Sequence, residues 1–316
     1  LKQSLSTRDS PTAALSSEDL RGLFLPLPTP FAVTGHVDLT ALGANIARWH
    51  TTGISGYVLL GSTGERVHLD ECECLEVIAA ARVAIPEEFA LIVGAGQQST
   101  IATVSELKRI ANAVALDAFL VITPHFYRAS ITQTALVEHY RRVADDSPAP
   151  VILYSMPALT GVRIEPETAA RLSEHDNIIG IKDSSDDVAG LQATIKLARA
   201  DFAVLTGNGT VLHEALAAGA WGGILAVGCV VPELCLAIFR AVKSGEMELA
   251  AELQSLLTPL AQAVTTRFGI GGLKAALDMK GYAGGAVRAP LQAPDGAALR
   301  EIRRCLEAAA VELEKL

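Results

Sequence analysis

No apolar segment of this chain reaches the roughly 20 residues that a helix needs to cross a bilayer, so no membrane span is expected. Basic charge is also short: 26 Lys and Arg stand against 35 Asp and Glu, a net charge of −9. That balance argues against a nucleic-acid partner or an anionic-membrane surface. The five cysteines are odd in number and scattered, and Cys72 and Cys74 lie two apart on a helix-like stretch, on different faces. Neither a zinc site nor a disulfide framework fits, and reduced thiols in an intracellular protein are the simplest account. The seven histidines show no metal-ligand spacing, so metal-dependent chemistry is not expected. Residues 1–20 are rich in Ser and Thr but lack a hydrophobic signal core, and read as an irregular tail. The chain begins at Leu1, and the tail is compatible with a processed leader or an organelle address. A cytoplasmic location is expected, with a mitochondrial one left open.

What is present is core-forming material. Half of the 316 residues are hydrophobic and 19% are charged, which suits a folded domain rather than a disordered chain. Strand-like runs occur near Leu23–Leu27, Gly56–Leu60, Ala90–Val93, Phe119–Ile122, Val151–Tyr154, Ile178–Lys182, Phe202–Leu205 and Gly223–Val227. Between them, stretches such as Thr40–Thr52, Asp70–Ala84, Thr100–Leu116 and Thr132–Ala144 carry helical periodicity. Eight consecutive βα units predict an α/β fold of the (β/α)8 TIM-barrel type over residues 21–230. Residues 231–316 read as a C-terminal helical appendage, with helices over Pro232–Lys243, Glu246–Val264, Leu273–Lys280 and Asp295–Lys315, the last capped by Asp295. A doubly wound dinucleotide fold would alternate in the same way. Its best evidence is Gly94-Ala95-Gly96, and the third glycine of that fingerprint is replaced by Ser99.

In a barrel, sites form at the carboxyl ends of the strands. Lys182 closes the apolar run Asn177–Lys182 and precedes Asp183 and Ser184; of the eight lysines it alone ends a strand-like run. Burial disfavours an ammonium ion, which would leave a neutral amine able to attack a carbonyl. A lysine whose stem packs while its ammonium reaches water is the competing account. Tyr154 ends the preceding run, and a phenol there can pass protons between an amine and a substrate hydroxyl. The turn Gly61-Ser62-Thr63-Gly64-Glu65 offers backbone N–H groups that could hold an anion, although an ordinary tight βα turn explains it as well. Together these residues suggest imine chemistry on a small oxo acid, in a pocket made apolar by neighbours such as Ile181 and Ile224.

The motifs Pro28-Thr29-Pro30-Phe31, Gly61-Ser62-Thr63-Gly64-Glu65, Tyr154-Ser155-Met156-Pro157 and Gly180-Ile181-Lys182-Asp183 resemble those of the dihydrodipicolinate synthase / N-acetylneuraminate lyase family, over about Leu20 to Leu291. The resemblance implies a barrel, in dimers or tetramers of identical chains, that joins pyruvate to a lysine as a Schiff base without a cofactor. It makes Lys182 the Schiff-base residue, Tyr154 the proton-transfer phenol and Ser62 the relay hydroxyl. Thr63, through its N–H, and Gly61 would hold the pyruvyl carboxylate, with Ser184 and the Ile224 carbonyl completing the pocket. Within the family, Leu153–Gly161, Thr266–Lys274 and Gly284–Gln292 are similar to 4-hydroxy-2-oxoglutarate aldolase.

Two positions depart from the family pattern. Leu159 stands where dihydrodipicolinate synthases carry an arginine for the carboxylate of aspartate semialdehyde, and where hydroxyoxoglutarate aldolases carry an asparagine. Phe126 stands where a tyrosine commonly reaches into a neighbouring subunit's site; Tyr127 or His125 could substitute for its hydroxyl. The expected activity is therefore that of a pyruvate-dependent carbon–carbon lyase on a small 2-oxo acid, such as 4-hydroxy-2-oxoglutarate or a 2-keto-3-deoxy sugar acid, with pyruvate and an aldehyde as its partners. The alternatives are condensation of pyruvate with aspartate semialdehyde, and a non-catalytic oxo-acid-binding protein.

Overall fold

The short apolar runs are strands buried on both faces, as parallel strands wrapped by helices must be. The structure, a computed structural model, describes residues 15–313. Its eight strands are β1 (Gly22–Pro26), β2 (Gly56–Leu59), β3 (Ala90–Ala95), β4 (Ala118–Ile122), β5 (Val151–Ser155), β6 (Ile178–Asp183), β7 (Ala203–Thr206) and β8 (Gly222–Ile224). They run parallel in sequence order, and β8 pairs with β1 to close the barrel. The doubly wound alternative is thereby excluded, because that fold leaves an open sheet.

Outside the strands stand α1 (Leu39–Trp49), α2 (Glu71–Ala84), α3 (Thr100–Ala113), α4 (Gln133–Asp146), α5 (Pro157–Thr160), α6 (Pro166–Ser173), α7 (Val188–Leu197), α8 (Leu212–Ala217) and α9 (Pro232–Ser244). The single-turn α5 lies in the loop after β5. Helix α9 packs on α8 and β1 and completes the outer ring. Beyond it lie α10 (Met247–Gln262), a π-helical turn (Ala263–Arg267), α11 (Gly269–Met279) and α12 (Gly296–Leu313). Local signals set several boundaries. Asp70 and Glu73 form a reciprocal capping box on α2, and Asp295 accepts from the Ala298 N–H at 2.8 Å to cap α12.

Two apolar layers result. Phe24, Val58, Ile92, Leu120, Ile152, Leu205 and Ile224 fill the barrel interior from alternate strand positions. The residues of opposite parity, such as Leu25, Leu59, Val93, Val121, Leu153 and Ile181, pack outward under the helices. Leu15 and Leu20 join the interior layer, and Glu18–Leu20 form a 3-10 turn before β1. Residues 1–14 of the expected tail, and the end of the helix expected to reach Lys315, lie outside the described residues.

Strand β8 ends at Ile224, short of the expected Val227, and Ala226–Cys229 form a 3-10 turn. Gly228 N–H donates to the Leu225 carbonyl there. A buried turn and a buried strand are equally apolar, so an unbroken hydrophobic run does not separate them. Among the described residues no helix is long and apolar enough to cross a membrane, and no group of three or more His, Cys, Asp or Glu side chains could hold a metal ion.

Candidate active site

Lys182 and Tyr154 pair in matching register one step above Leu153–Ile181 and one step below Ser155–Asp183, which end the two strands one residue later than expected. Register shifts between Val151 and Ile152 across from β6, so Gly180 pairs with Ile152, and Lys182 shares the inward parity of Tyr154. Both are buried, at 5% and 4% exposure, and Lys182 Nζ lies 4.3 Å from the centre of the phenol ring. Snorkelling to water is therefore not how this ammonium is housed. Ile224 stands in the interior layer as expected. Ile181 does not: it points outward under the helices, since strand residues alternate faces. Leu205, in register with Lys182 on β7, is the inward apolar neighbour instead.

Opposite this pair, the chain leaves β2 through a constrained turn. Ser62–Gly64 form a 3-10 turn, and the residues flanking Gly61–Gly64, Leu60 and Glu65, hold left-handed backbone angles (φ 54° and 53°) although neither is glycine. Such residues cost about 1–3 kcal/mol each and persist where the surroundings over-determine them, often at active sites. Gly94 on β3 makes room for the turn, since a Cβ there would come 2.4 Å from the Leu60 carbonyl oxygen. Thr29 Oγ1 donates to the Gly64 carbonyl at 2.7 Å. The outcome is a Ser62 Oγ to Tyr154 hydroxyl distance of 3.3 Å.

Electrostatics tune the phenol. Burial pushes Tyr154 up, but the Lys182 charge and hydrogen bonds with Ser62, Ser184 and Lys182 outweigh it and hold the phenol below the usual tyrosine range. A phenol so placed gives up its proton more readily than an ordinary tyrosine, and its acidity lies nearer the neutral range that proton transfer in both directions favours.

A cleft of about 630 Å³ opens from Tyr154 and the Ser62 turn toward solvent, with His125, Leu159, Val67 and Leu291 among its walls. Lys182 lies behind Tyr154 rather than on that wall. Thr63 is buried in the turn, and Gly61 lines the cleft. Leu159 also lines it, with 63% of its surface exposed. Phe126 is not gathered into the site of its own chain. It is 73% exposed and packs edge-on against Tyr127, with its backbone N–H on Gln98 Oε1.

Two features escaped the sequence reading. Gly207 follows β7, and a Cβ there would come 2.6 Å from Lys182 Cε and 1.9 Å from Ser184 Oγ. Its glycine-rich neighbourhood was visible, but nothing in it announced contact with the lysine. The second is another buried lysine, Lys274 on α11, whose Nζ lies 2.5 Å from Glu65 Oε1. The sequence singled out Lys182 alone among the lysines, and only the tertiary packing shows that Lys274 is buried as well.

A buried lysine near the end of the sixth strand, beside a phenol near the end of the fifth, is an arrangement that suits a barrel enzyme of the Schiff-base lyase class. The family model described as "Dihydrodipicolinate synthetase family" matches residues 19–309. The 4-hydroxy-tetrahydrodipicolinate synthase of Methanothrix thermoacetophila is 36% identical over 272 residues, covering 86% of this chain and 90% of that protein. A Streptomyces coelicolor protein, 4-hydroxy-tetrahydrodipicolinate synthase 1, is 37% identical over 270 residues, covering 84% and 87%. Among solved structures, a monomeric dihydrodipicolinate synthase variant superposes with a TM-score of 0.87 at 29% identity, covering 93% of this chain and 98% of that one. A prophage protein of the same family from E. coli K12, in complex with pyruvate, superposes with a TM-score of 0.85 at 27% identity, covering 92% and 99%.

The chain belongs to the dihydrodipicolinate synthetase family. It is an enzyme, a Schiff-base-forming, pyruvate-dependent carbon–carbon lyase acting on pyruvate and an aldehyde, and the non-catalytic alternative is set aside. The Methanothrix and Streptomyces relatives are named synthases; the nearer likeness to 4-hydroxy-2-oxoglutarate aldolase rests on the sequence motifs alone.

Proposed function

We propose that Lys182 condenses pyruvate with aspartate semialdehyde, the reading that the names of the relatives favour over cleavage of a hydroxy-oxo acid. The observation that carries the imine chemistry is the register pairing of Tyr154 with Lys182, with Nζ 4.3 Å from the phenol ring. The Lys182 ammonium gives a proton to the Tyr154 oxygen, the freed amine adds to C2 of pyruvate, and the carbinolamine loses its hydroxyl as water when Tyr154 returns that proton. Loss of a C3 proton then gives an enamine, whose carbon attacks the aldehyde while the new alkoxide takes up a proton. Water returns to C2 and releases the product from Lys182. Ser62, 3.3 Å from the Tyr154 hydroxyl, links the phenol to the cleft. The Thr63 N–H and Gly61 would hold the pyruvyl carboxylate, with Ser184 and the Ile224 carbonyl closing the pocket behind it.

One observation favours the lyase reading. Leu159 on the cleft wall cannot make the bidentate contact that an arginine makes with a carboxylate. A less charged aldehyde, released from 4-hydroxy-2-oxoglutarate or a 2-keto-3-deoxy sugar acid, would tolerate it. Coupled assays with each aldehyde decide between the two: turnover with aspartate semialdehyde supports the synthase, and turnover confined to the others overturns it. For the shared imine step, borohydride reduction with pyruvate should add one pyruvyl-derived mass to the wild type and none to Lys182→Ala.

A homo-oligomer is the third element of the proposal. Val67, Phe126, Tyr127 and Leu159 are exposed apolar residues on or beside the cleft mouth, and a second copy would cover them. Sedimentation velocity showing only monomer would overturn that element and leave the chemistry untouched.

A further inference from the structure

The turn that carries Ser62 is strained at both ends, and its downstream end is tied to the C-terminal helical region. Glu65, in the left-handed conformation, has a side chain 1% exposed; that of its partner Lys274 is 2% exposed. Glu65 Oε1 lies 2.5 Å from Lys274 Nζ, and Glu65 Oε2 accepts from the Arg288 backbone N–H at 3.3 Å and lies 3.2 Å from His68 Nδ1. Lys274 Nζ also donates to the Ala286 carbonyl at 2.6 Å, and packs over the Phe31 ring 4.4 Å from its centre. Arg288 lies 4.3 Å from the centre of the same Phe31 ring and binds the His68 and Gly35 carbonyls and Glu73.

A buried ion pair of this kind is a poor source of stability, because desolvating two charges offsets most of their attraction. Burial itself pushes the Lys274 ammonium down, opposed by Glu65. What the pair does is geometric. It fixes the last residue of the turn Gly61–Glu65, whose first hydroxyl must meet Tyr154, and two residues in unfavourable backbone conformations require such fixing.

We propose that Glu65 and Lys274 are positioning residues for the proton relay: their ion pair anchors the Ser62–Thr63 turn to α11 and holds Ser62 Oγ within reach of the Tyr154 hydroxyl. Neither touches substrate. The C-terminal region thereby acts on catalysis through one buried contact, and displacing a relay group by about 1 Å is enough to cost up to about 100-fold in rate. This inference rests on the Schiff-base reading of Lys182.

A double-mutant cycle tests it. Glu65→Gln and Lys274→Met are made singly, together, and each in a Ser62→Ala background, and Lys274→Arg is made with and without Ser62. Pyruvate trapping by borohydride on the wild type is run first; its failure would sink the Schiff-base reading itself. With trapping intact, Glu65→Gln should lower kcat by about tenfold or more, with KM for pyruvate changed by less than about threefold. In Ser62→Ala the same substitution should cost little further, because the hydroxyl it positions is already gone. The combined Glu65→Gln/Lys274→Met protein leaves no unpaired buried charge, and should melt near the wild type while still losing rate. Lys274→Arg keeps a cation and carries the test where the others fail to fold: it should lose several-fold in kcat only when Ser62 is present. Equal losses with and without Ser62, or wild-type kcat in the folded combined variant, would overturn the proposal.

Discussion

Tyr154 and Lys182 occupy the same level of adjacent strands, and the ammonium nitrogen lies 4.3 Å from the centre of the phenol ring. Parallel pairing makes this relationship rigid. Sliding either strand by one residue would turn one of the two side chains out under the helices. The local shift between Val151 and Ile152 across from β6 sets that parity, since Ile178 pairs with Val151 but Gly180 with Ile152. The proposed reacting pair is thus built into the sheet, while Ser62 is placed by the turn that follows β2.

Removing the phenol should be far more damaging to turnover than to folding. Tyr154→Phe keeps the ring against Lys182 but removes the proton carrier, and a positioned acid–base group contributes roughly 100- to 10,000-fold. The expected outcome is a kcat lower by about that range with a melting temperature close to the wild type. A Tyr154→Phe enzyme retaining near-normal kcat would mean that another group, such as His125 on the cleft wall, moves the proton.

Gly207 tests how tightly the Lys182 stem is held. A methyl group at that position would meet Ser184 Oγ at 1.9 Å and Lys182 Cε at 2.6 Å, so one of them must move. Gly207→Ala should destabilise by about 1–3 kcal/mol, the usual cost of overpacking, and should slow borohydride trapping of pyruvate. Denaturant melts and the trapping rate measure the two effects separately. Unchanged trapping would show that Lys182 reaches its reactive position by another path.

The barrel and its chemistry were legible for different reasons. Eight apolar runs at βα spacing are a repeated signal, so an error at one end, as at β8, leaves the topology intact. Lys182 and Tyr154 stood out because a polar residue closing an apolar strand is conspicuous. The Glu65–Lys274 pair was not legible, because Lys274 sits 209 positions from Glu65 and nothing local to either residue links them. Gly207 was hidden for a related reason: what it must avoid comes from β6, and only folding brings the two together.

Leu159 should govern the choice of aldehyde. It lies on the cleft wall with Tyr154 and presents no donor, so the carboxylate of aspartate semialdehyde would go ungripped there. Leu159→Arg should raise kcat/KM for aspartate semialdehyde by about tenfold, the worth of a charge-assisted hydrogen bond, while leaving pyruvate trapping unchanged. Measuring both aldehyde classes on the same preparations checks this. An equal change for charged and uncharged aldehydes would show that residue 159 acts by bulk alone.

His139 predicts how stability responds to acid. It lies on α4, buried against Tyr140, with Nδ1 2.9 Å from Thr100 Oγ1, and burial lowers it from 6.5 to about 4. The folded protein therefore keeps His139 neutral where the unfolded chain protonates it. Its contribution is fully present above pH 6.5 and is lost progressively as pH falls toward 4. A shift of that size corresponds to roughly 3 kcal/mol across the window. Urea melts at pH 7.5 and pH 5 should show the wild type losing more stability than His139→Gln, which can still hydrogen-bond Thr100 but does not titrate. The same pH dependence in both proteins would mean that His139 protonates in place and that other groups set the acid limit.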